Sequence, residues 1–278
     1  MREGALSDGF ITTRVVLPSG TAAPMPAVLT LFGEEKSLLA LGIAAVTYQV
    51  HWELLRGLVP PAPPPDAATR PRTWGKWLLA APSPHTVGEG YFQLISGDAT
   101  QTIPQVLDWL ATVPEVDMGR IGIVGVSTNG FTALQAAAAD RRLDAVVAIA
   151  ACGDYHTFLA RSTLGLGGKE PFEPTPAYGA FLVKQEVIHH PGRLVHAAVL
   201  MVNGDADVAV PAACARATAR ALARAYARAR VPERFRFVLI PGGGHDLGDA
   251  ARWYALGWFQ RWLVEPREAA PPRVRRHS

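Results

Sequence analysis

Three polar positions in this chain each lie just beyond an apolar run: Ser127, a carboxylate at Asp205 or Asp207, and His245. A serine hydroxyl is a weak nucleophile until a base takes its proton. An imidazole is such a base near neutral pH, and a carboxylate can fix its tautomer and stabilise its charged form. The three types together can attack a carbonyl carbon and carry the acyl group on the serine.

The serine lies in Gly125-Val126-Ser127-Thr128-Asn129-Gly130, between an apolar run at 121–126 and an alanine-rich stretch at 130–140. A strand running straight into a helix forces a sharp turn, which raises the hydroxyl above the sheet edge and needs small residues on either side. The helix N-terminus that follows offers backbone N–H groups to a developing oxyanion, Thr128 being the first. Serine is also a favoured helix N-cap, which is the ordinary alternative for such a position. The context of the other two residues favours chemistry. Asn203-Gly204-Asp205-Ala206-Asp207 follows the run 197–202, and Gly242-Gly243-Gly244-His245 follows the run 235–240. The spacing does not choose between Asp205 and Asp207.

These residues need a scaffold that brings several strand ends to one edge. Continuous apolar runs at 27–32, 43–50, 121–126, 145–150, 197–202 and 235–240 have the pattern of buried parallel strands, preceded by a more mixed strand at 10–17. Helices are expected at 103–113, 130–140, 212–230 and 250–263. Strand and helix alternate, so the fold class is α/β, a mostly parallel sheet covered by helices on both faces. One domain over 1–265 is expected, with a basic, disordered tail at 266–278.

Two long segments interrupt the alternation, 57–97 and 153–192, the first opening with Pro-Pro-Ala-Pro-Pro-Pro at 60–65. Ligands of open α/β sheets sit beyond the carboxyl ends of the strands, so both are expected to shape or cover the site. They would bring Trp74, Trp77 and Phe158 to a substrate, and His51 and Trp52 follow a strand at the same edge. His189, His190 and His196 lack a carboxylate or cysteine that would complete a metal set, so no metal is expected. A helix from 178 to 188 is expected within the second segment.

The net charge of +3 on 278 residues is small. Arg216, Arg220, Arg224 and Arg228 recur every fourth residue among alanines, the solvated face of a helix rather than a nucleic-acid surface. Cys152 and Cys214 are too few for a disulfide framework, and Cys152 reads as a buried, inert thiol. With no signal-like start and no apolar run of about 18 residues, a cytoplasmic protein without membrane contact is expected. A homo-oligomer is compatible with the sequence.

The chain resembles the α/β-hydrolases, nearest in style to the prolyl-oligopeptidase-like and dienelactone-hydrolase-like serine esterases. Three motifs carry the resemblance, at 125–130, 203–211 and 242–245, and it spans about 26–263. It implies Ser127 as nucleophile, Asp207 as the orienting acid and His245 as base. It also implies that the loop at Gly33 and Glu34 borders the substrate, the Glu34 amide joining that of Thr128 as oxyanion donors. Asn129 stands where such turns usually have a small residue, and Phe32 where the oxyanion loop often has His. The implied activity is cofactor-free hydrolysis of a small carboxylic ester through an acyl-enzyme. The same residues would serve a peptidase or a lactone hydrolase, and a non-catalytic binding protein on this fold is the rival from another class.

Overall fold

The computed structural model describes residues 1–6, 11–20, 24–30, 34–50, 84–164 and 175–266. Within them lie eight strands: β1 Arg2–Leu6, β2 Ile11–Val16, β3 Met25–Thr30, β4 Ala44–Val50, β5 Val116–Val126, β6 Leu143–Ile149, β7 Ala198–Gly204 and β8 Phe235–Ile240. They form one sheet in the order β1-β2-β4-β3-β5-β6-β7-β8. β1 and β2 pair antiparallel, as do β2 and β4, and every later pair is parallel. The expected mostly parallel sheet is therefore present, with an antiparallel margin at its N-terminal edge.

The helices are α1 Glu35–Ala40, α2 Pro84–Gly97, α3 Ile103–Leu110, α4 Thr128–Ala139, α5 Tyr155–Arg161, α6 Pro176–Gln185, α7 Ala212–Arg228 and α8 Gly248–Phe259. Successive strand residues divide between the two faces. On β6, Val146 and Ala148 join the layer containing Phe92, Ile103, Phe131, Leu222 and Tyr226, which come from α2, α3, α4 and α7. Ala145, Val147 and Ile149 join the opposite layer with Leu38, Trp258, Phe259 and Leu263. Both faces of the central strands are covered, which is why β3 and β7 are buried at every residue and read as continuous apolar runs.

Several elements differ from the sequence expectation. The helix expected from 103 begins at Pro84, and a π-helical turn at Asp98–Thr102 joins α2 to α3. Pro104 has no N–H to continue an α-helical ladder, so a local change of helical register before it is the physical consequence. Residues 84–97 are thus not loop. They are helical because Tyr91, Phe92 and Ile95 bury one face against α4 and α5. Tyr48 donates to Asp98 at 2.8 Å, which ties this run to the end of β4. β5 starts at Val116 rather than 121, with a register irregularity between Ile121 and Gly122. β1 was not expected at all. Its Gly4 leaves room for the Trp109 indole of α3, since an added Cβ would stand 2.3 Å from Nε1.

Cys152 and Cys214 are buried and free, and burial pushes the Cys152 thiol well above its ordinary range. The α7 arginines are exposed, as a solvated helix face requires. Among the described residues no helix is long and apolar enough to cross a membrane.

Candidate active site

Ser127 is held in a backbone conformation that non-glycine residues rarely adopt, φ 55° and ψ −123°. Strain of this kind amounts to about 1–3 kcal/mol and persists only where the surroundings impose it. Here β5 ends at Val126 and α4 begins at Thr128, with Ser127 alone between them. The Ser127 amide donates to the Ile149 carbonyl of β6 at 2.8 Å, while its own carbonyl accepts from Gly130 and Phe131 at 2.8 and 3.1 Å. The turn needs its glycines for lack of space: a Cβ on Gly125 would lie 2.1 Å from the Asn129 carbonyl oxygen, and one on Gly130 would lie 2.7 Å from the Ala151 Cβ. Asn129 fits because it sits within α4, and the residue with positive φ is Ser127 instead. The unusual backbone angle thus falls two residues before the asparagine, whose tolerance of such angles is not needed.

Although Ser127 occupies the N-cap position of α4, its side chain makes no capping hydrogen bond. Its Oγ lies 3.0 Å from His245 Nε2, and His245 Nδ1 lies 2.9 Å from Asp207 Oδ2. The ionised Asp207 carboxylate can only accept, so Nδ1 carries the imidazole proton and Nε2 is left to accept from the serine hydroxyl. The other carboxylate oxygen, Oδ1, accepts from the amides of Ala209 and Val210, both at 2.8 Å. The Asp207 side chain is wholly buried and that of His245 is 37% exposed. The imidazole is therefore fixed on its acid side and open toward a ligand on the other.

Asp205 has a different task. It accepts from the Gly242 amide at 2.6 Å, and backbone bonds from Asp205 to Ile240 and from Ala206 to Gly243 complete the seam. A Cβ on Gly204 would stand 2.0 Å from the Gly243 carbonyl oxygen, so the acid and histidine loops are in direct contact.

Thr128 is the first residue of α4, so its N–H has no intrahelical acceptor and lies next to Ser127. Its Oγ1 is 2.7 Å from the Tyr91 hydroxyl. Tyr91 is nearly buried and stacks on Phe158 with centroids 5.9 Å apart; burial raises its pKa. The Glu34 amide, expected as the second oxyanion donor, makes a long 3.4 Å contact with Thr30 Oγ1. The Glu34 carboxylate pairs with Arg252 of α8 at 2.7 Å.

The structure therefore brings Ser127, Asp207 and His245 together, with the Thr128 amide beside them. Phe158, expected to touch substrate, is fully buried behind Tyr91, because Phe92, Phe131 and Tyr91 pack around it. It backs the site wall without presenting a surface. Gly33, His51, Trp52, Trp74 and Trp77 lie outside the described residues. The histidines did have an overlooked acidic neighbour: Glu186, 1% exposed, lies 2.8 Å from His156 Nδ1 and 3.0 Å from His189 Nε2. Even so, no group of three or more His, Cys, Asp or Glu side chains among the described residues is arranged to hold a metal.

Replacing Gly125 with alanine should push β5 and α4 apart, since the obstructing atoms are backbone. Overpacking of this kind costs about 1–3 kcal/mol or more. Urea unfolding should show the lower stability, and activity should fall with it; an unchanged midpoint would mean the turn is looser than it looks.

Residues 85–165 match the family X-Pro dipeptidyl-peptidase (S15 family), a stretch that includes Ser127. No curated protein matches significantly. Among solved structures, the chain is similar to a puromycin-hydrolysing peptidase of Mycobacterium tuberculosis, with 18% identity over 96% of this chain and a TM-score of 0.65. It spans 40% of the length of that peptidase. It is also similar to 2,6-dihydroxy-pseudo-oxynicotine hydrolase, with 20% identity, 97% of this chain, 69% of that chain and a TM-score of 0.63. A glucuronoyl esterase of carbohydrate esterase family 15 from Caldicellulosiruptor kristjansonii shows 16% identity over 94% of this chain and 77% of its own, with a TM-score of 0.56. The sheet order, the strand-turn-helix at Ser127 and these likenesses define an α/β-hydrolase fold.

Proposed function

We propose that the chain is a serine hydrolase that cleaves small carboxylic esters through an acyl-enzyme. The observation that carries this reading is the continuous relay from Ser127 Oγ to His245 Nε2 and from Nδ1 to Asp207, built on a serine whose backbone is strained. Ser127 attacks the ester carbonyl as His245 takes its proton, and the resulting imidazolium is stabilised by Asp207. The Thr128 and Glu34 amides receive the oxyanion, each such donor lowering the barrier by about 3 kcal/mol. His245 then returns the proton to the leaving alkoxide, and water repeats the attack on the acyl-serine.

Support for a small acyl group comes from the wall beside Thr128. Tyr91, whose hydroxyl is 2.7 Å from Thr128 Oγ1, is backed there by the packed rings of Phe92, Phe131 and Phe158, so this side of the site is core that a long acyl chain would have to displace. Each methylene that fits gains about 1–3 kcal/mol at most, and a filled pocket ends the gain abruptly. With nitrophenyl esters of graded length, kcat/KM should peak between acetyl and butyryl and fall steeply by octanoyl. A profile still rising at dodecanoyl would sink the small-acyl reading.

The S15 match over 85–165 favours one second reading, hydrolysis of a peptide bond after an Xaa-Pro pair. The relay serves both leaving groups, because His245 can protonate an amine as readily as an alkoxide. Cleavage of Xaa-Pro nitroanilides with a higher kcat/KM than the acetyl ester would replace the esterase reading with this one.

A further inference from the structure

Glu34 is an acidic residue at the N-cap of α1, yet its side chain makes no capping bond there. It reaches across 218 positions in the chain to Arg252, with Oε1 2.7 Å from Nε. The Glu34 side chain is 9% exposed and that of Arg252 is 47% exposed, so the carboxylate lies inside and the cation closes over it. Arg252 also holds Asp249 at 2.7 Å on its own helix, which orients the guanidinium. α8 begins three residues after His245, so this ion pair spans from the loop after β3 to the helix after the histidine loop. Next to it, Glu35 pairs with Arg14 of β2, which pins the start of α1 from the other side.

We propose that Arg252 is a positioning residue for the oxyanion site: it holds the Glu34 amide in register with Ser127 and His245 and neutralises the Glu34 carboxylate. The inference rests on the reading of Ser127 as nucleophile and of the Glu34 amide as oxyanion donor. Two observations carry it. The Glu34 amide donates only a long 3.4 Å bond to Thr30 Oγ1, and its carbonyl accepts from Leu38 at 3.1 Å, so the Arg252 contact is a third anchor and the one that acts on the side chain. Bond lengths also keep a glutamate carboxyl carbon within about 5 Å of its own amide nitrogen. A bare carboxylate at that distance would oppose the negative charge that the amide is there to receive, and burial strengthens the opposition. Arg252 removes this conflict while its exposed position keeps its share in overall stability small.

The test compares wild type, Arg252→Ala, Arg252→Lys and the double variant Arg252→Ala with Glu34→Gln. The readouts are kcat and KM on a short nitrophenyl ester, the inhibition constant of a trifluoromethyl ketone, and Tm. The ketone forms a tetrahedral oxyanion on the serine and so reports the oxyanion site directly. Arg252→Ala should lower kcat about 10- to 100-fold and weaken the ketone by the same factor, with KM nearly unchanged. Arg252→Lys should recover most of both. The double variant should be more active than Arg252→Ala alone, because the uncompensated carboxylate is gone. A purely mechanical strut would not give that recovery. A kcat for Arg252→Ala within twofold of wild type would overturn the proposal, and so would a double variant no better than the single one. Should Arg252→Ala fail to fold, Arg252→Gln carries the same comparison. Failure of the underlying reading would show earlier and separately, as a wild-type enzyme that neither the ketone nor a fluorophosphonate engages.

Discussion

Ser127→Ala is expected to reduce kcat by roughly a millionfold, the size of loss seen when a serine nucleophile that works as a unit with its base is removed. In the proposed mechanism the hydroxyl becomes the acyl carrier, and its partner at 3.0 Å is the imidazole that would take its proton. A fluorophosphonate should label the wild-type protein at Ser127 and leave the variant unlabelled. The fold should survive, because the backbone bonds to Ile149, Gly130 and Phe131 that hold residue 127 do not involve its side chain. Tm should therefore stay close to that of the wild type. Labelling of another serine in the variant, or retained turnover, would remove Ser127 from the mechanism.

The parts of this protein that were legible in sequence are those where one local rule dominates. The central parallel strands are largely buried on both faces, so apolar continuity located them, and it also found the edge strand β8 at its observed bounds; β5 begins five residues earlier than expected and the other ends shift by at most two. β1 was hidden because Arg2-Glu3-Gly4-Ala5-Leu6 has no apolar pattern, and its place is fixed by pairing with β2 and by Trp109 packing on Gly4. α1 has six residues, too short for a helical period to register. α2 contains Pro84, Gly88 and Gly90, residues that argue against a helix, and forms because tertiary burial of its aromatic face outweighs their propensities.

The site divides in the same way. Ser127 and His245 stood out because each lies just beyond a strand in a glycine-bearing turn. The choice of Asp207 over Asp205 rested on family likeness, since the deciding contacts are the Ala209 and Val210 amides and the reach to His245, which spacing does not encode. The Glu34–Arg252 pair joins residues 218 positions apart and leaves no local signal. Phe158 was read as lining because an aromatic in a loop-like segment suggests a pocket, whereas α5 turns it inward against Phe131 and Tyr91.

Asp207→Asn should lower kcat by about 10⁴-fold, the cost that mis-setting the histidine tautomer carries in triads of this kind. The amide can still accept from Ala209 and Val210 through its oxygen, which turns its NH2 group toward His245 Nδ1. Nδ1 must then act as acceptor, so Nε2 carries the proton and has no lone pair for the Ser127 hydroxyl at 3.0 Å. Fluorophosphonate labelling should slow in parallel with turnover, since both need the activated serine, while Tm changes little because the shape is preserved. Asp205→Asn is the control from the same loop. Its carboxylate accepts from the Gly242 amide and does not reach the imidazole, and an asparagine oxygen can take over that bond. The loss there should stay below about tenfold, the scale of one weakened charge-assisted hydrogen bond. If Asp205→Asn proved the more damaging of the two, the orienting role would belong to Asp205, and the contact between Asp207 and His245 would be a consequence of loop packing.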